Sequence, residues 1–298
     1  MKNRDKALLY TSLSILAWSF IPVVSSLAQQ KIDGSNFLFY SNIFSVIAIF
    51  IYAKISKYSI KFDRNIIKQT AILGFLGTFL YYVCIYFGYK FANPIEVIIV
   101  QYLWPVLIVV LSVFLLREKL TFKKILSIIL GFLAIVIVIT KGDISIFSFN
   151  FPIGLSVVLL GAFSFALFSV LSKKIDIDPI SATLMFFVWG SLFSLIWVFC
   201  TTGLKPLDID SLFFIAINGI IINGISYIWW VEAIRLWEAS KVAVFVYITP
   251  ILGTLWLVIL SNTDLFLSYG IALIFVIIAG ILTIWEKDEN STYIKPNR

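Results

Sequence analysis

The chain contains no histidine and only two cysteines among its 298 residues. Histidine is the commonest general base and metal ligand, so its absence argues against metal-assisted hydrolysis. Cys84 and Cys200 both fall within or at the end of an apolar segment, where a disulfide is not expected and a thiol behaves as a small apolar group. The sequence also contains no Walker A, H-E-x-x-H or nucleophile-elbow pattern. We therefore expect no catalytic residues, no metal and no other cofactor, and a protein that is not an enzyme.

Charged residues are scarce too, since they make up 13% of the chain while apolar residues make up 61%. A soluble domain has roughly 25% charged and 45–50% apolar residues, so this chain has more apolar surface than a water-soluble fold can bury. A helix that crosses the hydrocarbon core needs about 20 consecutive apolar residues. Ten such segments occur, near residues 7–28, 36–53, 70–89, 95–116, 125–140, 153–172, 180–201, 211–234, 241–260 and 265–285. They do not alternate in polarity as barrel strands do, and the predicted fold is an all-α membrane protein with ten transmembrane helices.

Basic residues are concentrated on one side of the predicted membrane. If the N-terminus is cytoplasmic, the inner segments contain 19 of the 23 lysines and arginines, and the outer segments contain only Lys31, Lys90, Lys141 and Lys205. The positive-inside rule therefore predicts a multi-pass protein of the cytoplasmic membrane with both termini in the cytoplasm. This topology explains the net charge of +7, so we expect the lipid bilayer as a partner and no nucleic acid. The first segment is longer than the apolar core of a signal peptide, which has about 7–15 residues, and is predicted to be retained.

A shift of 145 residues aligns the chain with itself. Residues that match at this offset without a gap include Gly74 with Gly219, Tyr82 with Tyr227, Lys90 with Arg235, Tyr102 with Tyr247 and Pro105 with Pro250. We predict a first copy at residues 1–145, a second at 146–285 and a polar cytoplasmic tail at 286–298. Because each copy contains five spans, the second must cross the membrane in the opposite sense. Such inverted repeats occur in many secondary transporters, where the substrate site lies between the two halves.

Aromatic side chains supply ring faces and polar edges that suit a ligand. The candidates for a substrate-binding cavity are Trp18, Tyr82, Tyr102, Trp104, Trp189, Tyr227, Trp230 and Tyr247. The alternative for most of them is the aromatic belt that forms at membrane interfaces. Tyr82 and Tyr227 are the strongest candidates, because they lie in the middle of spans and are related by the repeat.

Two acidic residues fall inside predicted spans, where an ionised group costs at least about 2.5–3.5 kcal/mol at the bilayer centre. Glu96 lies about one turn into the fourth span. It is either a protonatable carboxylate that binds a substrate or couples transport to protons, or a helix-start residue favoured by the helix dipole. Glu232 lies near the inner end of the eighth span with Arg235 three residues on, so an ion pair is the ordinary interpretation and proton coupling the second.

Prolines and glycines occur inside several predicted spans. Pro22, Pro105 and Pro250 each remove a backbone hydrogen bond and are predicted to kink a helix or to act as hinges. Glycines inside a span allow close packing or bending, and four stand out here: Gly74, Gly77, Gly219 and Gly224. The repeat relates Pro105 to Pro250, which favours a shared role for these two.

Several motifs resemble the EamA-type drug/metabolite transporters. They are Trp18, the segments 74–82 and 97–105, the stretch Leu116-Arg117-Glu118-Lys119-Leu120-Thr121, and segments 223–230 and 241–250 in the second copy. The resemblance covers nearly the whole chain and implies transport of a small molecule. Gln101-Tyr102-Leu103-Trp104-Pro105 is similar to the asparagine-Tyr-Leu-Trp-Pro stretch of the aromatic amino-acid exporter branch. This similarity implies amino-acid export and adds Gln101 to the predicted substrate-binding residues.

The leading hypothesis is therefore a secondary active transporter that exports amino acids or similar small metabolites by alternating access. A membrane-embedded enzyme would need catalytic residues that the sequence does not provide. A passive facilitator or channel, and a flippase for lipid-linked substrates, remain the alternatives.

Overall fold

The computed structural model describes residues 3–61, 64–140, 152–246, 248–261 and 267–284, and all regular secondary structure within these ranges is helical. The helices of the first copy are α1 (Asn3–Trp18), α2 (Ile21–Ala28), α3 (Gly34–Ile55), α4 (Arg64–Gly74), α5 (Tyr81–Phe91), α6 (Pro94–Gln101), α7 (Trp104–Leu115) and α8 (Phe122–Thr140). Those of the second are α9 (Ile153–Ser172), α10 (Pro179–Thr201), α11 (Ile209–Ala216), α12 (Ser226–Leu236), α13 (Ala239–Phe245), α14 (Ile248–Ser261) and α15 (Leu267–Ile284). Two π-helices join α4 to α5 and α11 to α12, namely π1 (Phe75–Leu80) and π2 (Ile217–Ile225).

Eight segments among the described residues are long and apolar enough to cross a membrane. They are Asn3–Ala28, Gly34–Ile55, Ile66–Phe91, Pro94–Leu115, Ile153–Ser172, Pro179–Thr201, Ile209–Leu236 and Lys241–Leu260. These eight correspond to eight of the ten predicted spans, so the prediction of a helical multi-pass membrane protein is confirmed. The other two predicted spans coincide with α8 and α15, which pack against each other. A total of ten crossings stays a prediction.

The helices recur along the chain at the offset found in the sequence. Five pairs of helices begin 145 residues apart: α3 and α10, α4 and α11, α5 and α12, α6 and α13, and α8 and α15. Packing follows the same relation, since α3 packs on α10, α8 packs on α15, and the contact of α1 with α12 corresponds to that of α9 with α5. The two copies therefore share one helix arrangement. Their opposite orientation in the membrane and their boundaries at 145 and 285 stay predictions.

Two predicted spans are broken helices rather than kinked ones. Pro22 and Pro105 each stand in the first turn of a new helix, and the preceding helix ends four residues earlier, at Trp18 and at Gln101. The physical reason is that the proline ring clashes with the carbonyl of residue i−4 and offers no N–H to it. Pro250 occupies the corresponding place in the first turn of α14. The helix is thus interrupted before two of the three proposed hinge prolines, while hinge motion itself stays a prediction.

Two glycines that are related by the repeat bring neighbouring backbones very close. A Cβ atom placed on Gly74 would lie 2.7 Å from the Phe186 carbonyl oxygen of α10, and one placed on Gly219 would lie 2.6 Å from the Ser41 carbonyl oxygen of α3. Both the glycines and the carbonyls are related by the offset of 145 residues, so this is one contact made twice. Only glycine fits there, because any side chain would push the helices apart. These contacts hold the third predicted span of each copy against the second predicted span of the other.

Candidate functional site

A small cavity lies where the breaks α1/α2 and α6/α7 meet α5, α9 and α12. Its lining consists of Trp18, Ile21, Tyr81, Tyr82, Tyr102, Trp104, Phe165 and Tyr227. Seven of these eight side chains are aromatic, and both copies contribute. The volume of the cavity is about 10 Å³, which is room for about one water molecule. In this conformation the site, which we call the central cavity, is nearly closed.

Hydrogen bonds join the two copies at the side of this cavity. The Tyr227 hydroxyl lies 3.2 Å from the Tyr82 hydroxyl and donates to the Gly77 carbonyl at 2.9 Å. The Tyr82 hydroxyl donates to Asn223 Oδ1 at 2.7 Å. Gly77 belongs to π1 and Asn223 to π2. The repeat-related tyrosines therefore meet between the two π-helices, and each is hydrogen-bonded to the opposite copy.

Two tryptophans, Trp18 and Trp104, form another part of the wall. The indole N–H of Trp18 donates to Ser226 Oγ at 2.7 Å and to the Ile222 carbonyl at 3.1 Å. The rings of Trp18 and Trp104 meet edge to face at a centroid distance of 6.1 Å. Trp230 packs behind both, at 5.3 Å from each, and does not line the cavity. Edge-to-face packing of this kind fixes the ring orientations.

Gln101 stands beside the cavity at the last position of α6. Its side chain is 1% exposed, and its Nε2 donates to the Tyr81 hydroxyl at 2.6 Å. Its Oε1 is buried and finds no hydrogen-bond partner among the described residues. The structure thus brings together Gln101, Tyr102 and Trp104 of the predicted motif with Trp18, Tyr82 and Tyr227. That these residues bind a substrate stays a prediction.

Glu96 lies away from the cavity, in the first turn of α6. The Tyr269 hydroxyl of α15 donates to Glu96 Oε1 at 3.1 Å. Asn93 caps the same helix by accepting a hydrogen bond from the Ile95 N–H at 2.9 Å. An acid in this position is stabilised by the helix dipole, and the hydrogen bond with Tyr269 is compatible with a protonatable group as well. Both interpretations of Glu96 therefore stay open.

The other predicted site residues lie elsewhere. Trp189 stacks on Phe193 at 6.0 Å and donates to the Ile67 carbonyl at 3.1 Å, outside the central cavity. Glu232 is half-buried in α12, beyond the cavity. Tyr247 lies outside the described residues.

A wider opening occupies the end of the protein that is predicted to be external. This vestibule has a volume of about 640 Å³, and its walls include Gln29, Asp33, Tyr89 and Lys90. Asp33 caps α3 and pairs with Lys205 at 3.0 Å. Partial burial alone would raise the pKa of the Asp33 carboxyl, but the hydrogen bonds from the Asn36 N–H and from Lys205 outweigh it, so this pKa lies below its ordinary value.

Two ion pairs lie at the opposite end. Glu118 and Lys124 are 3.3 Å apart with side chains only 6% and 5% exposed, and Glu238 and Lys241 are 3.2 Å apart. Lys173, at the end of α9, donates to the Trp237 carbonyl at 2.8 Å. Burial lowers the pKa of Lys173, and the attraction of Glu118 and Glu238 offsets this in part. Each ion pair lies within one copy, and the attraction of Glu118 for Lys173 acts between the copies.

Several lining residues escaped the sequence analysis. Tyr81 and Phe165 both line the cavity, and Asn223, next to it, accepts a hydrogen bond from the Tyr82 hydroxyl. A signal existed for two of them: Phe165 lies in a stretch that the repeat aligns with the segment around Trp18, and Asn223 is a polar residue within an apolar span. Polar residues inside a membrane are costly and tend to be functional.

Broken helices around a cavity between two similar copies are an arrangement that many membrane transporters share. The EamA-like transporter family matches residues 5–140 and 152–285, and the chain belongs to this family. The two matched segments also show that the family's unit occurs twice. The match does not distinguish the aromatic amino-acid branch.

The relatives are described as transporters without a known substrate. An uncharacterized transporter YyaM of Bacillus subtilis is 28% identical over 188 residues, which is 60% of this chain and 61% of that protein. An uncharacterized transporter of Archaeoglobus fulgidus is 25% identical over 61% of this chain and 65% of that protein. The chain thus matches less than two thirds of the length of each of these two relatives. A second Archaeoglobus fulgidus transporter is 20% identical over 94% of this chain and 95% of its own. A crystal structure of a protein with 20% identity superposes with a TM-score of 0.75 over 94% of this chain and 96% of that one, which shows a shared fold.

Proposed function

We propose that the protein is a secondary active transporter that exports amino acids or similar small metabolites across the cytoplasmic membrane by alternating access. The observation that carries this proposal is the central cavity between the two copies, where Tyr82 and Tyr227 meet. In transporters built from inverted repeats, the substrate site lies at the repeat interface near the midplane, beside discontinuous helices. The breaks at α1/α2 and α6/α7 match that description.

The two ends of the molecule support a transport cycle with alternating access. One end has a vestibule of about 640 Å³, and the other end carries the pairs of Glu118 with Lys124 and Glu238 with Lys241. With the N-terminus in the cytoplasm, the vestibule faces outward and the charge pairs lie on the inner side. The conformation is then an outward-facing one with its central cavity closed. Because each pair lies within one copy, movement of one copy against the other would leave both pairs intact and let water reach them.

Further parts of the proposal concern coupling and motion. Glu96, hydrogen-bonded to Tyr269, is the first candidate for proton coupling, and Glu232 is the second. Pro22, Pro105 and Pro250 are the candidate hinges, because Pro22 and Pro105 each stand in the first turn of a helix that follows an interruption of the span, and the repeat relates Pro250 to Pro105. The aromatic walls of the cavity suit solutes with apolar or aromatic side chains.

The test is counterflow in liposomes that contain the purified protein. We would load the vesicles with each member of an unlabelled amino-acid panel and measure entry of the same labelled compound. A carrier gives saturable uptake that is stimulated by the unlabelled solute on the opposite side. Tyr227→Ala should reduce it, and Tyr52→Ala, at a side chain that is 37% exposed on the surface, should not.

Other outcomes would assign a different function. Uptake that does not saturate and shows no counterflow indicates a facilitator or channel. Movement of a lipid-linked solute without movement of the free one indicates a flippase. Either result would contradict the proposal.

A further inference from the structure

The central cavity and the vestibule come close to each other along α5. Tyr82 lines the cavity, and Tyr86, one helical turn nearer the end that is predicted to be external, lines the vestibule. Among the described residues, none lines both spaces. The centroids of the two tyrosine rings are 5.7 Å apart, which is contact distance, and Tyr86 is only 3% exposed although it borders a space of about 640 Å³. The contact between these two rings therefore separates the two spaces at this point.

Tyr86 is held in place from the opposite copy. Asn218 in π2 donates from Nδ2 to the Tyr86 hydroxyl at 3.3 Å and to Ser41 Oγ of α3 at 3.0 Å. The two hydrogens of an amide nitrogen can serve both acceptors. Phe37 of α3 packs on the Tyr86 ring at a centroid distance of 5.3 Å, and Phe37 and Asn218 are both fully buried. The position of the ring thus depends on how π2 and α3 lie against α5.

The fold itself does not require this arrangement. The offset of 145 residues relates Tyr86 to Val231 and Asn218 to Leu73, and both of these are buried apolar residues. Two apolar side chains cannot form a hydrogen bond, so the related place is packed without one. Polar side chains inside a membrane are costly and tend to be functional. Because the two copies share one helix arrangement, the tyrosine and the asparagine point to a role other than packing.

We propose that Tyr86 is the outer gate of the central cavity: its ring closes the passage to the vestibule, and the hydrogen bond from Asn218 holds the ring in place. Tyr86 thus controls access to the site of the proposed function, on which this inference rests. Opening breaks this hydrogen bond and turns the ring into the vestibule, whose volume of about 640 Å³ has room for it. A neutral hydrogen bond contributes little in net terms, so the gate is held closed and still opens. Because Asn218 belongs to the second copy and Tyr86 to the first, movement of the copies against each other makes or breaks the bond.

The experiment measures how fast a reagent reaches the cavity from outside. The reporter is Ile21→Cys in a chain with Cys84→Ala and Cys200→Ala, because Ile21 lines the central cavity and is only 3% exposed. Intact cells that contain this chain are treated with a small impermeant thiol reagent, and the rate of labelling is followed by mass spectrometry. The readout needs no known substrate, so it is independent of the transport assay.

Two variants separate the ring from its hydroxyl. Tyr86→Ala should raise the rate of labelling at position 21 at least about tenfold, because the ring contact and the hydrogen bond are both lost. Tyr86→Phe keeps the ring and should raise the rate about 2- to 12-fold, the range that the net contribution of a neutral hydrogen bond implies. The matched control is Phe87→Ala, since Phe87 also lies on α5 and lines the vestibule but packs on Phe91, at 4.5 Å. It should leave the rate unchanged.

A second reporter detects general loosening of α5. Native Cys84 lies on the same helix, is 3% exposed and lines neither the cavity nor the vestibule. In a chain that carries only Cys200→Ala, Cys84 should stay unlabelled, and adding Tyr86→Ala should not change this.

Three results would overturn the gate. They are labelling at position 21 that either Tyr86 variant leaves unchanged, an equal rise with Phe87→Ala, and a rise at Cys84 as large as the rise at position 21. If Tyr86→Ala does not yield folded protein, Tyr86→Phe decides, because it removes a single oxygen atom. Labelling that rises as expected while no solute shows counterflow would support the gate and contradict the proposed function. Counterflow together with unchanged labelling would contradict the gate and leave the proposed function standing.

Discussion

Replacing Gly74 or Gly219 by alanine should destabilise the protein, because both glycines face a backbone carbonyl of the other copy. The added Cβ would lie 2.7 Å from the Phe186 oxygen or 2.6 Å from the Ser41 oxygen, which is 0.7 to 0.8 Å closer than the 3.4 Å at which ordinary contact begins. A backbone oxygen cannot rotate away as a side chain can, so whole helices must separate. Such overpacking costs about 1–3 kcal/mol, and a clash with a backbone atom belongs in the upper part of that range, at about 2–3 kcal/mol. The better helix propensity of alanine offsets about 1 kcal/mol of it.

The expected net loss is about 1–2 kcal/mol for each variant, which corresponds to a fall in melting temperature of about 2–8 °C. The assay is the fraction of protein that remains monodisperse in detergent after heating. Gly270→Ala is the matched control, since a Cβ there meets nothing within 4 Å, and it should melt at the same temperature as the unmodified protein or slightly higher. If Gly74→Ala and Gly270→Ala melt together, the helices are not held by this contact and the reasoning is refuted.

Four further predictions concern binding, coupling, pH and topology. Tyr227→Ala should lower substrate affinity several-fold, since an aromatic pair contributes about 0.5–1.5 kcal/mol, and loss of folded protein at unchanged affinity would assign the ring to packing. Glu96→Gln should abolish the pH dependence of efflux or the efflux itself, and normal efflux with an unchanged pH profile would leave Glu96 a helix-start residue. Asp33→Ala should cost about 0.5–2 kcal/mol as a lost helix cap. Because the folded-state pKa of Asp33 is depressed, the electrostatic stabilisation by its carboxylate is present above about pH 4 and is lost as the pH falls through the folded-state pKa. Melting curves at different pH would detect this loss. A cysteine at position 31 should react with an impermeant thiol reagent in intact cells and one at position 61 should not, and the reverse pattern would overturn the topology.

The sequence predicts those features that depend on local composition. Spans follow from apolar runs, and the interruptions at Pro22 and Pro105 follow from the missing N–H of proline. The offset of 145 residues locates five second-copy helices from their first-copy counterparts, as the starts of α3 and α10 show. The tyrosine pair was found for the same reason, because the repeat singles out Tyr82 and Tyr227 among many aromatic residues.

Other features depend on contacts between distant segments and leave little trace in the composition. The π-helices differ from α-helices by a change in hydrogen bonding that no run of residue types indicates. Trp189 and Tyr82 are both aromatic residues in spans, yet only Tyr82 lines the central cavity, because the rotation of each helix is set by the neighbours it packs against. Likewise, the sequence alone does not show that Gln101 donates to Tyr81 while its Oε1 has no partner among the described residues.

The position of the two cavity tyrosines depends on the number of residues in each π-helix. Both π1 and π2 end directly before the helix that carries a cavity tyrosine, Tyr82 in α5 and Tyr227 in α12. Removing one residue from π1 would rotate α5 by about 100° relative to α4 and draw it back by about 1.5 Å. Tyr82 would then leave the cavity although no side chain had been replaced. The number of residues in this segment therefore matters more for the position of Tyr82 than their identities do. A one-residue deletion between Gly74 and Tyr82 should be more harmful than most substitutions there.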